Sequence, residues 1–271
     1  MIYLIPSSGL GNRMRAVDSG IAIAESLNLH LNVYWTCNHD LNCPFHMLFE
    51  PFPTAGITIY AHPPGFMKSV IGSRTIRNLL RALPLPVVAF STQEMSLLKS
   101  YDFISPRKKT HIFIRSYSRF YPNQNKYDYF KPIPELRDKI SERTATFDEH
   151  VIGVHIRRTD HVWSITHSPD TLFMSRMQDE IDQDPLTRFY LATDSPEVKK
   201  TFINRFGDRI ITTSFQVSRD TPEGIQEALV ELYSLAATSK ILGSYGSSFS
   251  TTAAELGKIE MVRILTEQSI T

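Results

Sequence analysis

The sequence predicts an α/β fold of two Rossmann-like halves, each built on a doubly wound parallel sheet, and three observations carry that expectation. Short β-branched runs alternate with segments whose apolar residues recur at helical spacing, the pattern of parallel strands joined by crossover helices. Glycine, proline and serine punctuate the joins, as at Pro6-Ser7-Ser8-Gly9, Ser195-Pro196 and Gly243-Ser244. The 271 residues exceed one ordinary domain and suit two of about 100–150 residues each. The expected division lies near residue 148, giving domains 1–148 and 149–271.

In the first half, Ile2–Ile5 reads as a buried strand feeding a glycine loop. Asn12–Leu29 follows as a helix, with Met14, Val17, Ile21, Ala24 and Leu27 on one face. Leu31–Trp35 is the next strand, which completes a β-loop-α-β unit. Further strands are expected at Ile57–Tyr60, Pro86–Phe90 and His111–Ile114. Ser116–Pro134, rich in Tyr, Phe, Asn and Pro, reads as an extended loop, and Ile133–Thr144 as a charged helix. The second half is more regular. Strands are expected at Val151–Ile156, Phe189–Ala192, Arg209–Thr212, Ser239–Leu242 and Met261–Ile264. The intervening helices are Thr171–Ile181, Pro196–Phe206, Pro222–Ala237 and Phe249–Leu256. In the third of these, Ile225, Leu229, Leu232 and Ala236 form an apolar face, and Pro222 suits a first helical turn.

Lys and Arg number 29 against 28 Asp and Glu. So even a balance argues against binding nucleic acid through bulk positive charge. An anion site must be local, built by a few placed arginines. The two cysteines, Cys37 and Cys43, make no disulfide scaffold, and reduced thiols are expected, with a small bridge between them the alternative. No zinc spacing is present. The opening strand leaves no room for a signal peptide, and no apolar run reaches the length of a membrane span. A cytoplasmic protein is expected, free or peripheral to a membrane.

Ligands of open parallel sheets bind at the carboxyl ends of the strands, and four such ends carry chemistry. The first is His155-Ile156-Arg157-Arg158-Thr159-Asp160. Paired arginines at the end of a core strand are costly unless an anion meets them, and a guanidinium matches phosphate oxygens. Alternation puts His155 and Arg157 on one face and Arg158 on the other. Arg157 is therefore the ligand candidate, while Arg158 either joins it or pairs with Asp160 or another carboxylate. The second is Gly243-Ser244-Tyr245-Gly246-Ser247-Ser248, where a strand breaks into a turn that starts a helix. Ser247 and Ser248 either meet an anion together with the helix N-terminus or cap the helix. The third is Gly9-Leu10-Gly11-Asn12-Arg13, a glycine turn without the third glycine of a dinucleotide fingerprint. The fourth is Thr193-Asp194-Ser195-Pro196, where Asp194 either orders the loop and helix start or reaches the ligand. Together they describe a nucleotide-diphosphate crevice with no Walker A and no D-x-D metal motif.

The motif at 155–160 resembles the H-x-R-R-x-D motif of the GDP-fucose-dependent fucosyltransferases: the α-1,6-fucosyltransferases, the nodulation fucosyltransferases and, more distantly, the protein O-fucosyltransferases. Gly9–Arg13 resembles their amino-terminal G-x-G-N loop, Tyr190–Asp194 their second motif, and Glu231–Ser250 their third. The order is the family's, and the resemblance covers the second half well and the first only at its start.

The resemblance implies a GT-B type glycosyltransferase of two facing Rossmann-like domains, acceptor-side first and donor-side second. It implies inverting transfer of fucose from GDP-fucose to an oligosaccharide or other glycan, with no metal or other cofactor. Arg157 would hold the β-phosphate, His155 would support the donor site, Ser247 and Ser248 would meet phosphate, and Glu231 would pair with guanine. Asp160 joins the catalytic set, and Gly9, Gly11, Asn12, Arg13, Arg158 and Asp194 the donor-binding set. The sequence departs from the family in lacking a carboxylate between Asp160 and Asp170, which leaves His161, His167 and Asp170 as alternatives for the acceptor base. Another GDP-sugar and a non-catalytic binding module are the competing readings.

Overall fold

The computed structural model describes residues 1–83, 85–96, 110–123, 127–158, 162–214 and 218–266. Two compact units are present. One comprises Met1–Ile133 with Arg219–Pro222, the other Pro134–Ser218 with Glu223–Thr271. Each is built on a five-stranded, wholly parallel sheet.

In the first unit the strands are β1 (Ile2–Pro6), β2 (Leu31–Tyr34), β3 (Ile57–Tyr60), β4 (Val87–Phe90) and β5 (His111–Ser116), in the order β3-β2-β1-β5-β4. The central β1 buries Ile2 and Leu4 completely, with Leu4 level with Val33 on one side and Ile114 on the other. Helix α1 (Leu10–Leu27) returns across this sheet. Gly20 lets it come close, since a Cβ there would lie 2.7 Å from Leu4 Cδ2. The helix stops at Asn28, whose left-handed backbone turns its own N–H and that of Leu29 back onto the carbonyls of Glu25 and Ala24.

Helices α2 (Gly65–Gly72), α3 (Arg74–Ala82) and the short α4 (Thr92–Ser96) were not anticipated from the sequence. The reason lies in their faces. The only buried residue of α3 is Arg77, so there is no inward apolar stripe to read, while Ile76 and Leu79 point to solvent. Between β5 and Pro134 the described residues form no named helix or strand, in keeping with the expected loop, and a buried carboxylate pins them. Asp18 of α1 accepts from Arg119, from Asn123 Nδ2 at 2.9 Å and from the Tyr127 N–H at 2.8 Å.

The second unit holds α5 (Pro134–Thr144), β6 (Val151–Ile156), α6 (Val162–His167), α7 (Asp170–Gln183), β7 (Arg188–Thr193), α8 (Pro196–Phe206), β8 (Ile210–Ile211), α9 (Pro222–Ala236, its first residue in the other unit), β9 (Lys240–Ser244), α10 (Ser248–Gly257) and β10 (Glu260–Ile264). The order β10-β9-β6-β7-β8 puts β6 at the centre, with all six residues buried. Helix α6 is the one element here that the sequence reading missed. Ile152, Val154 and Ile156 pack with Phe173 and Met177 of α7, Phe189 and Leu191 of β7, and Phe202 of α8. Gly153, on the other face, allows α9 to approach, because a Cβ would lie 2.8 Å from Thr238 Oγ1 and 3.0 Å from Leu235 Cδ2. Cys37 and Cys43 are not joined in a disulfide. Among the described residues no helix is long and apolar enough to cross a membrane.

Candidate functional site

The carboxyl ends of β6, β7 and β9 lie side by side, and His155, Arg157, Arg158, Asp194, Ser247 and Ser248 lie at or just after them. His155 pairs with Ala192 and Gly243 on the neighbouring strands. The absence of a side chain at Gly243 is what admits α10, since a Cβ there would sit 2.8 Å from both Cβ and Oγ of Ser250. Ser250 Oγ is consequently 2.7 Å from His155 Nδ1, and Ser247 Oγ is 3.4 Å from the same nitrogen. The Phe249 ring stacks on the imidazole, centroids 4.9 Å apart.

This cage denies the imidazolium its hydration. Burial, reinforced by Arg157 and Arg158 and opposed by Asp194, holds the His155 pKa down at about 4. The ring is therefore neutral at physiological pH. The Ser250 contact and the tautomer are tied: a hydroxyl that donates to Nδ1 leaves the ring proton on Nε2, and one that accepts from Nδ1–H leaves Nε2 an acceptor.

Arg157 follows, half-buried, its backbone N–H donating to Ser244 Oγ at 3.2 Å. Arg158 takes the other course left open by the sequence. Its Nε donates to Asp170 Oδ1 at 2.9 Å, its Nη2 to the same oxygen and to the Ser168 carbonyl, and its Nη1 to the Arg157 carbonyl. The carboxylate partner is thus Asp170, at the start of α7. The Arg158 N–H donates to Asp194 Oδ1 at 2.7 Å, so Asp194 clamps the ends of β6 and β7 together. Ser195, and not Asp194, caps α8, accepting from the Val198 N–H at 3.3 Å. Thr159, Asp160 and His161 lie outside the described residues.

At α10 the N-cap Ser247 makes no side-chain cap hydrogen bond; its hydroxyl turns to His155 instead. The first-turn amides are left to other acceptors. Gly246 precedes it at φ +68°, where a side chain would be strained. Ser248 is half-buried at the first helical position.

Glu231 lies on α9 at 4% exposure, and its Oε1 has no hydrogen-bond partner. Burial raises its pKa to about 8. Glu227, one turn earlier, and Asp194 add to the shift, while Lys199 and Arg143 oppose it. Glu227 is itself matched by Arg143, at 2.6 Å. The buried Tyr190 hydroxyl belongs to the same cluster; burial and Glu231 push its pKa up, against Arg143 and Ser234, which sit beside it. A buried carboxyl oxygen without a partner is unusual in a folded protein and is what a ligand-recognition pocket leaves open.

The glycine loop belongs to the first unit. Gly9 is the N-cap of α1 and opens on space, with nothing within 4 Å of a Cβ built there. Gly11 is buried, and Asn12 Nδ2 reaches back to Ser8 Oγ at 3.0 Å. Arg13 is buried as a clasp. Its Nε, Nη1 and Nη2 donate to Ser8 O, Thr36 O and Asn38 Oδ1 at 2.7–2.8 Å, and the guanidinium lies 5.3 Å from the Trp35 ring centre. Burial lowers its pKa to about 10.

The sequence reading missed Ser244, Ser250, Tyr190, Glu227 and Arg143. Ser250 was legible in principle, three residues after Ser247 and so on the same side of a helix. Arg143 comes from a helix remote in sequence and gave no signal.

No protein-family model matches the sequence, and no curated protein matches it. Solved structures do. NodZ α-1,6-fucosyltransferase soaked with GDP-fucose superposes at TM-score 0.65 and 17% identity, over 94% of this chain and 92% of that one; another NodZ structure is described as from Bradyrhizobium. A mutant Arabidopsis thaliana FUT1 in complex with GDP gives 0.65 and 16%, over 97% and 69%. POFUT1 in complex with GDP gives 0.56 and 10%, over 97% of both chains. The chain therefore has the fold of these fucosyltransferases, with a parallel five-stranded sheet in each of its two units.

Proposed function

We propose that the protein is an inverting, metal-independent glycosyltransferase that moves fucose from GDP-fucose to a glycan acceptor, with the donor site in the second unit and the acceptor side in the first. The observation that carries this reading is the buried Glu231 carboxyl, its Oε1 without a partner, in the same unit as the His155–Ser247–Ser250 cage. It is supported by the bound GDP or GDP-fucose in the structures the chain resembles.

Glu231 would receive the N1–H and N2–H edge of guanine on its two oxygens. Arg157 would meet the β-phosphate, with the free amides at the start of α10 and the Ser247 and Ser248 hydroxyls beside it. Arg158 and Asp194 would act through the backbone, holding the ends of β6 and β7. The neutral His155 would keep the α10 turn in place through Ser247 and Ser250. Asp160 would complete the catalytic group.

In the reaction an acceptor hydroxyl oxygen attacks the anomeric carbon of fucose and the bond from that carbon to the β-phosphate oxygen breaks. GDP leaves with the electron pair, and the hydroxyl proton passes to a base. Negative charge grows on the departing diphosphate, where the Arg157 guanidinium and the helix N-terminus are fixed donors. Preorganised donors of this kind are each worth about 10²–10³ in rate. They supply the charge compensation that a metal gives in other transferases, and this is the ground for proposing metal independence. Of the bases the sequence offered, Asp170 Oδ1 is engaged by Arg158, and His167 lies against Tyr245 with ring centres 5.2 Å apart.

The test is a panel of GDP-fucose, GDP-mannose and UDP-sugars incubated with a glycan array, with GDP or UDP release and product mass followed in the presence of EDTA. Fucosylated product from GDP-fucose alone supports the reading. Transfer from another sugar nucleotide, or tight GDP binding with no transfer to any acceptor, contradicts it.

A further inference from the structure

The first unit carries a surface that the donor chemistry leaves unused. Between Glu50 and Glu94 the sequence has Lys68, Arg74, Arg77 and Arg81 and no Asp or Glu. Glu94 compensates two of these, lying 2.6 Å from Arg77 Nε and 2.7 Å from Arg81 Nη2. Lys68 and Arg74 remain at the surface.

Apolar side chains are exposed on the same two helices. Phe66 on α2 is 59% exposed and Leu79 on α3 is 54% exposed, and Ile76, Leu83 and Leu85 are exposed as well. Ile76, Leu79 and Leu83 are spaced i, i+3, i+7 and share one side of α3 and its end. Phe66 sets one edge against Phe113, ring centres 6.2 Å apart, and keeps most of its ring at the surface. Met67 and Ile71 already fill the inward side against Tyr34, Ala89 and Phe113, with Leu80 packed beside them. The helix pair thus carries exposed apolar side chains and, at the surface of the same two helices, Lys68 and Arg74, which make no ion pair among the described residues. Clustered exposed apolar groups mark an interaction surface. Their combination with basic residues is the composition of helices that lie in a lipid interface.

We propose that α2 and α3 dock on an anionic membrane surface, with Phe66, Leu79 and Leu83 entering the boundary between headgroups and acyl chains and Lys68 and Arg74 meeting acidic headgroups. Charge complementarity favours this occupant over a second copy of the chain, which would set the same cations against each other. The proposal is independent of the donor site, since none of these residues belongs to it.

The experiment is co-sedimentation of the whole chain with vesicles of phosphatidylcholine alone or mixed with phosphatidylglycerol, at low and high salt. Binding to the acidic vesicles, weakened by salt and weak on phosphatidylcholine alone, is expected. Lys68→Gln with Arg74→Gln should weaken it about 25-fold, about fivefold for each cation at such a surface. Phe66→Ser with Leu79→Ser, at positions exposed enough to leave the fold intact, should also weaken it while GDP binding stays as in the wild type. The proposal is overturned by no binding to acidic vesicles, by equal binding to both kinds, by variants that bind like the wild type, or by a dimer in lipid-free solution that Phe66→Ser with Leu79→Ser dissolves.

Discussion

Glu231→Gln puts the donor site to a quantitative test. With its pKa raised to about 8 by burial, about a tenth of the empty site carries an ionised Glu231 at neutral pH. Guanine offers two N–H donors, and only the ionised form has two oxygens free to accept them. Guanine binding should therefore drive off a proton. Affinity should fall by up to about tenfold, about 1.4 kcal/mol, for each pH unit below about 8. Gln keeps one acceptor and sets its amide donors against those of the base, which should cost roughly 2–3 kcal/mol, or 30–150-fold, at the optimum. It should also abolish the site's own pH dependence. The linked stability has a definite sign. A folded pKa raised above the unfolded value contributes stability below the unfolded pKa of about 4.5, and that stability is lost as pH rises through about 8. Gln stays neutral, so its stability relative to wild type should improve by a few kcal/mol across that window. The assay is calorimetric titration with GDP across this pH range in buffers of different ionisation enthalpy, with urea unfolding in parallel. Titration of the GDP phosphates is common to both proteins and cancels in the comparison. Equal pH slopes and equal proton release for wild type and Glu231→Gln would refute the reasoning.

Gly243→Ala should push α10 away from His155, because the new methyl would lie 2.8 Å from Ser250; a loss of about 1–3 kcal/mol in denaturant unfolding is expected, with weakened GDP binding. Asp18→Asn should release the loop after β5, because a buried carboxylate serving Arg119, Asn123 and Tyr127 is lost; a cost of about 3 kcal/mol and new cleavage at that loop in limited proteolysis check it. His155, with its pKa lowered to about 4, binds fewer protons folded than unfolded, so it should withdraw on the order of 3 kcal/mol as pH falls from about 6.5 to about 4. A His155→Asn variant should lose stability less steeply over that range.

The second unit was largely legible because its signals are local. Each strand is a compact apolar run, and each helix carries an inward stripe such as Ile225, Leu229 and Leu232. The first unit was legible at β1, α1 and β2 for the same reason and illegible at α2 and α3, where the buried residue of α3 is an arginine and the leucines face outward. At the site, alternation along β6 set Arg158 apart from Arg157, and Arg158 pairs with a carboxylate, one of the courses the sequence left open. It could not say that Arg158 would choose Asp170, twelve residues on, because that choice depends on where α7 begins. Arg13 read as a ligand group because it follows a glycine turn. Its burial against Trp35 and three carbonyl-type acceptors is a tertiary fact with no sequence period.

The central claim is a metal-free GDP site centred on Arg157, and calorimetric titration of GDP into wild type and Arg157→Ala, with and without EDTA, tests it most directly. Micromolar binding unaffected by EDTA and weakened about 10–100-fold in the variant, the worth of a charged hydrogen bond to phosphate, is the predicted result. No GDP binding by folded wild type, binding that disappears with EDTA, or an Arg157→Ala variant that binds as tightly as wild type would contradict it.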